Sequence, residues 1–177
     1  MSANPTQEDY ARYIGVTAAP IVSAPLESDS VRRFAQAIMD DDPAYHDKVH
    51  AGALPAGGVT APPLFPIHIM RRPPGTPDPL EPLTRDPDLD GTGDLGSFLY
   101  GLPSIPMPFN RLLNGGSDID FGRNLRIGER AVAQARYKDI RLRQGKSGDM
   151  LIVVIETRFT TEAGEHLVTV RQTAIWR

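Results

Sequence analysis

Every one of the 17 prolines in this chain lies between Pro5 and Pro108, and none occurs from Phe109 to Arg177. Proline removes a backbone donor and fixes φ, so inner strands of a sheet and helix interiors exclude it. The first part is therefore restricted to short helices, turns and extended arms, whereas the second can form a ladder that uses each amide. A chain of 177 residues suits one domain with a real core, and argues against a separate cofactor domain. The expectation is a single unit over residues 1–177 with a Pro/Gly-rich insertion at about 73–113. Absence of cysteine excludes a disulfide scaffold, a thiolate metal site and a cysteine nucleophile. Net charge is −7 for residues 1–108 and +4 for 109–177, which is not the electrostatic footprint of a nucleic-acid binder. The polar start, Met1 to Tyr10, has no apolar signal core, and no apolar run spans a membrane. A soluble, cytoplasmic protein is expected.

Tyr13 to Leu26, with Pro20 and Pro25, reads as an edge strand or extended arm. Ser30 then caps a helix in which Val31, Phe34, Ala35, Ile38 and Met39 repeat at helical spacing, stopped by Pro43. Val49 to Ala61 reads as a small-residue loop. Pro62-Pro63 open a helix with Leu64, Phe65, Ile67, Ile69 and Met70 on all sides, the pattern of a buried one, in which His68 is a core histidine. From Ile119 onward the period is that of strands. A slip of parity between Tyr137 and Ile140 predicts a β-bulge near Lys138 or Asp139, and Leu151 to Ile155, apolar on both faces, predicts a central strand.

Several motif matches have plainer explanations. Gly91-Thr92-Gly93-Asp94-Leu95-Gly96 fits a dinucleotide fingerprint but follows no strand, and Asp86 to Asp94 lacks the closing Glu and the flanking helices of a calcium loop. Both read better as a solvated loop. Gly145-Lys146-Ser147 lacks the earlier glycine of a phosphate-binding loop and reads as a hairpin turn. His46 and His50 have the spacing of a zinc pair, but no sustained helix holds them. No metal and no cofactor is expected.

One cluster carries more specific chemistry: Asp40-Asp41-Asp42-Pro43-Ala44-Tyr45-His46. An acid and an imidazole leaving a helix on a proline turn can converge on one water, one taking a proton while the other gives one. The segments Phe34 to Tyr45, Gly57-Gly58-Val59-Thr60-Ala61-Pro62-Pro63-Leu64-Phe65, and Leu113 to Phe121 with Leu125-Arg126-Ile127-Gly128-Glu129 together resemble the MaoC-like dehydratases. The similarity is to their N-terminal, fungal-fatty-acid-synthase-like dehydratase branch.

The resemblance implies an α+β hotdog fold, an antiparallel sheet wrapped around one helix, here Pro62 to about Arg72. It implies reversible addition of water to an enoyl thioester, on coenzyme A or an acyl carrier. It also implies a homodimer or a heteromer with a second MaoC-like hotdog. Of the hydratase motif Asp-x-Asn-Pro-hydrophobic-His, Asp40 and Pro43 match, Asp42 replaces Asn, and Tyr45 takes the place of His, with His46 one residue later. Catalytic candidates are thus Asp40, His46 and Tyr45. Substrate-binding candidates are Asp42, Gly57, Gly58, Thr60, Ala61, Leu64 and Phe65, with the carbonyl polarised by an amide of Val59, Thr60, Ala61 or Leu64. Phe98, Leu99, Tyr100, Met107 and Phe109 are candidates to line the acyl pocket or, equally, to pack on the chain's own body. The alternatives are a chain without its own base serving as the substrate-binding half, a silent assembly subunit, and a hotdog thioesterase.

Overall fold

The computed structural model describes residues 5–70, 85, 100–109, 111–145 and 148–177. The elements, in chain order, are α1 (Gln7–Ala11), β1 (Ile21–Val22), α2 (Ser28–Ala37), a 3₁₀ turn (Pro43–Tyr45), α3 (Lys48–Ala53), α4 (Phe65–Ile69), β2 (Leu112–Phe121), β3 (Ala131–Gly145), β4 (Gly148–Thr161) and β5 (His166–Trp176). The strands form one antiparallel sheet in the order β1-β3-β4-β5-β2. The proline-free stretch supplies β2 to β5, and the apolar β4 is central, as its two-faced pattern requires.

The parity slip is a β-bulge. Tyr137 pairs with Ile155 but Asp139 with Val154, so one extra residue on β3 returns Ile140 to the buried face after Tyr137. On that face β3 presents Ala131, Ala133 and Ala135, all fully buried. Such small side chains let a covering segment approach closely. The predicted arm lies along the edge of β3: Gly15, Ala18 and Ser23 donate their amides to the carbonyls of Tyr137, Ala135 and Ala131.

Two buried clusters follow. One gathers Tyr10, Tyr137, Ile140, Leu151, Val153 and Trp176 under the arm and residues 100–109. The hydroxyls of Tyr10 and Tyr137 donate to the carbonyls of Pro106 and Pro103 at 3.0 and 2.7 Å, which satisfies them inside an apolar setting. Burial, with the neighbouring Tyr13, pushes the Tyr137 phenol up to about 12. Tyr100 and Phe109 pack on this core, Tyr100 edge-on to Phe159 at 5.9 Å, and Met107 is partly exposed. Tyr100 and Phe109 thus follow the reading of packing on the body, Met107 is in neither buried cluster, and Phe98 and Leu99 lie outside the described residues. The other cluster places α2 and α4 against the far end of the sheet, with Leu26, Val31, Phe65, Leu125, Phe159 and Leu167 at its centre.

Several local expectations are corrected. The α2 helix starts at Ser28 after Glu27, not after a Ser30 cap. Lys48–Ala53 is helical rather than looped, because the Asp47 side chain accepts from the Val49 and His50 amides and nucleates the turn. Over the described residues the helix that follows Pro62-Pro63 is only Phe65–Ile69. Phe65 and Pro66 are buried, Ile67 and Ile69 half-buried, and His68 is exposed rather than in the core, its ring 4.9 Å from that of Phe34. His166 is half-buried, its Nε2 2.9 Å from the Thr169 hydroxyl. The insertion's 71–84 and 86–99, with the acidic and glycine-rich motifs, lie outside the described residues.

Candidate functional site

The acid cluster is shaped by the end of α2. Met39 adopts φ +56°, its amide donates to the Gln36 carbonyl, and the Asp40 amide donates to that of Ala35. This is a Schellman turn with methionine where glycine is usual. It, and not Pro43, ends the helix and delivers Asp40 half-buried beside the following turn.

From there each acid has a different task. The Asp40 carboxylate accepts from the Asp42 amide at 3.2 Å. The Asp42 carboxylate accepts from the Ala44 amide at 2.9 Å and caps the 3₁₀ turn. The Asp41 carbonyl lies 3.3 Å from His46 Nε2; a carbonyl can only accept, so this contact assigns the proton to Nε2. Asp47 caps α3, and those amide bonds hold its carboxyl below the usual carboxylate range.

Tyr45, standing where the hydratase motif has histidine, is turned inward, 9% exposed, and belongs to the cluster around Phe65 and Leu125. Burial first, and the nearby charges of Asp40 and Asp42 second, push its phenol above the ordinary value. The candidate residues are spread over more than one cleft of the turn, and Tyr45 and His46 share a small one of about 200 Å3 with Val59. Asp40 and His46 line one cleft of about 630 Å3 with Arg32, Met39 and Asp41. Asp42 and Tyr45 line another of about 460 Å3 with Thr60, Arg123, Asn124 and Arg126.

The second cleft is roofed by a paired segment. The Ala61 amide donates to the Leu125 carbonyl at 2.8 Å, and Thr60 forms an isolated bridge with Arg126. The buried Thr60 hydroxyl accepts from Asn124 Nδ2 at 3.4 Å. Ala61 is thereby removed from the candidate carbonyl-polarising amides. Gly57 needs its residue type for φ +73°, whereas a Cβ at Gly58 would meet open space among the described residues, so none of these demands glycine there. Leu64 sits at the N-terminal end of α4 and is half-buried. Phe65 packs edge-on against Phe34 at 5.1 Å as a core residue.

Sequence reasoning missed Arg123. Its guanidinium grips Glu129 through two bonds of 2.8 Å and reaches Glu165 at 2.5 Å, tying the 122–130 loop that pairs with Thr60 and Ala61 to the β4–β5 turn. These bonds hold the Glu129 and Glu165 carboxyls below their usual range. The Arg123 Nε is buried without a partner among the described residues. The signal in the sequence is faint: Glu129 follows six residues later across a turn at Gly128, φ +85°. Among the described residues no group of three or more His, Asp or Glu side chains could hold a metal ion, and no helix is long and apolar enough to cross a membrane.

Comparison with known proteins bears on the family and the fold. The UPF0336 protein of Thermobifida fusca is 27% identical over 139 residues, which cover 78% of this chain and 74% of that protein. The ChsH1-ChsH2 complex of Mycobacterium tuberculosis contains a chain similar in fold at a TM-score of 0.68 and 18% identity, covering 96% of this chain and 94% of that one. A chain of the C-terminally truncated HadBC complex, a 3R-hydroxyacyl-ACP dehydratase from the same organism, gives a TM-score of 0.59 at 18% identity, with coverage of 92% and 96%. The architecture is the hotdog that the resemblance implied. Residues 12–170 match the FAS1-like dehydratase domain region, and the chain belongs to that family.

Proposed function

We propose that this chain is one hotdog subunit of an enoyl-thioester hydratase, or of the 3-hydroxyacyl-thioester dehydratase that is the same reaction reversed, and that a partner hotdog supplies the catalytic acid and base. Family membership supports the reaction class, and two of the similar folds come from two-component complexes. Hydration adds a hydroxyl to C3 of the enoyl group and a proton to C2, while the thioester carbonyl gathers negative charge and needs a donor.

The observation that carries the division of labour is Tyr45. A buried phenol with a raised pKa cannot accept a proton from water at neutral pH, and Asp42, in the asparagine's place, caps a turn. What remains in the cleft beside Thr60 is a binding wall: the Thr60 hydroxyl, the Asn124 amide, and the cation Arg126 toward an anionic carrier, on the loop that the Arg123 clamp holds in place. The amides of Val59, Thr60 and Leu64 are the proposed carbonyl donors. The carrier is either coenzyme A or an acyl-carrier protein.

A second reading has its own support. Asp40 and His46 do line one cleft, so the shifted histidine would serve as the base of a self-sufficient enzyme. Purified chain incubated with crotonyl-CoA separates the two. Under the proposal, enoyl absorbance is stable with this chain alone and falls when a hotdog chain with an intact Asp-x-Asn-Pro-x-His motif is added. Hydration by the chain alone, abolished by Asp40→Asn, establishes the second reading, and release of free thiol would make the protein a thioesterase.

A further inference from the structure

The cleft beside Thr60 takes its shape in part from residues that do not line it. Thr60 is 5% exposed and forms an antiparallel bridge with Arg126, flanked by the bond from the Ala61 amide to the Leu125 carbonyl. A bond at the next position leaves Thr60 in a non-hydrogen-bonded pair, so its own amide and carbonyl point away from Arg126. The Thr60 amide donates to no described residue. A buried amide without a partner is rare, and this one belongs to a residue that lines the cleft. Its place is set by the segment it bridges to, residues 122–130.

Backbone bonds anchor that segment at its two ends. The Gly122 and Arg123 amides donate to the Leu167 and His166 carbonyls, and a Cβ on Gly122 would run into the His166 backbone. At the other end Gly128 donates to the Leu26 carbonyl, and Leu26 donates to that of Glu129. Between the ends the chain is held by charge. The Glu129 carboxylate accepts from the Arg126 amide at 2.8 Å and so fixes the residue opposite Thr60. The same carboxylate takes two nitrogens of Arg123, one of which also donates to the Asn124 carbonyl at 2.9 Å. One guanidinium thus governs both neighbours of Leu125, whose carbonyl holds Ala61. Its other partner is Glu165 on the β4–β5 turn, more than half exposed. Neither Glu129 nor Glu165 lines the cleft.

We propose that Arg123, Glu129 and Glu165 are positioning residues for the Thr60 amide, so that a surface carboxylate on the β4–β5 turn sets how well this amide reaches a bound thioester carbonyl. The coupling deepens the thioester-binding role proposed above and rests on it. Without Glu165 the guanidinium keeps Glu129 but loses its tie to the sheet, and residues 124–126 shift together with Thr60. Small shifts matter, because a hydrogen bond to a carbonyl weakens steeply outside its narrow range of length and angle. Lysine in place of Arg123 carries the charge but lacks the planar fork that serves two carboxylates at once.

The test titrates the full chain with crotonyl-CoA isotope-labelled at the thioester carbonyl, recording affinity and the carbonyl infrared band, and follows the Thr60 amide of the free chain by NMR. Glu165→Gln is expected to weaken binding about fivefold, the loss of one ordinary hydrogen bond, and to move the carbonyl band toward that of free ligand. It should also shift the Thr60 amide resonance at a nearly unchanged urea midpoint, since an exposed ion pair adds little stability. Arg123→Lys should weaken binding at least as much. Glu162→Gln, on the same turn without a bond to Arg123, should match wild type in every readout. A Glu165→Gln chain that matches wild type in affinity, band and resonance overturns the proposal, as does an equal effect of Glu162→Gln. Should Arg123→Lys not fold, Glu165→Gln decides alone. Failure of the thioester reading is distinct: wild type then binds no crotonyl-CoA, and the Thr60 resonance decides the coupling, moving in Glu165→Gln if the clamp acts and staying if it does not.

Discussion

β3, β4 and β5 run for 15, 14 and 11 residues and bury Tyr137, Phe159 and Val168 almost completely. Between Ser28 and Ile69 the longest element is the ten-residue α2, and Met39 and Val49 are 91% and 86% exposed. The sheet is held by a continuous ladder and a core. The site-bearing segment is held by end groups: a Schellman turn at Met39, the caps from Asp42 and Asp47, and the pairing of Thr60 and Ala61 with the loop that Arg123 clamps. A scaffold of the first kind tolerates little, and a surface of the second kind is suited to being completed by another chain.

That contrast gives an ordered set of effects. Phe159→Ala, in the sheet, is expected to cost about 3–5 kcal/mol, a lost side chain plus the cavity left behind, read from urea unfolding. Val49→Ala, on the exposed side of α3, should fall within about 0.5 kcal/mol of wild type. Equal effects from the two would erase the distinction. Intermediate in size is the clamp, where Arg123→Ala should cost about 2 kcal/mol by leaving the partly buried Glu129 unpaired. The pH dependence has a definite sign. The Glu129 carboxyl is held low when folded, so its contribution is fully present above its ordinary value of 4.5 and is lost as pH falls through the lower folded value. Urea midpoints compared at neutral pH and below about 4 should therefore fall less in Glu129→Gln than in wild type. Smaller than the clamp's and of opposite sign, Met39→Gly should raise stability by about 1 kcal/mol, because methionine there occupies a left-handed conformation that glycine adopts freely. An unchanged or lowered midpoint would remove the strain from the description of the α2 terminus.

Why some of this was legible in sequence and some was not follows from the range of each interaction. The ladder repeats every two residues, so the alternation from Ala131 to Leu142, and the slip in it, announce the bulge between Tyr137 and Asp139 without any tertiary knowledge. Pro20 and Pro25 likewise announce an edge-covering arm. The end of α2 was hidden because its signal, a glycine after the last turn, is absent and Met39 takes its place. α3 was hidden because Gly52 and the surrounding small residues suggest a loop, while the Asp47 cap that starts it acts over only three residues. His68 was misplaced because an apolar composition on all sides says nothing about which side is covered. The Arg123–Glu165 contact spans 42 positions and depends on how the β4–β5 turn meets the 122–130 loop, which no local pattern encodes. At the site itself, the departures at Asp42 and Tyr45 are visible in the sequence. That one caps a turn and the other is buried required the structure.

The account stands on the assignment of chemistry to a partner and of binding to this chain, and the most direct measurement follows crotonyl-CoA with the isolated chain in one sample, recording both binding and enoyl absorbance. The expected result is saturable binding with stable absorbance, unaltered in Asp40→Asn. Steady loss of absorbance by the isolated chain, removed by Asp40→Asn, would contradict it and return the catalytic pair to Asp40 and His46.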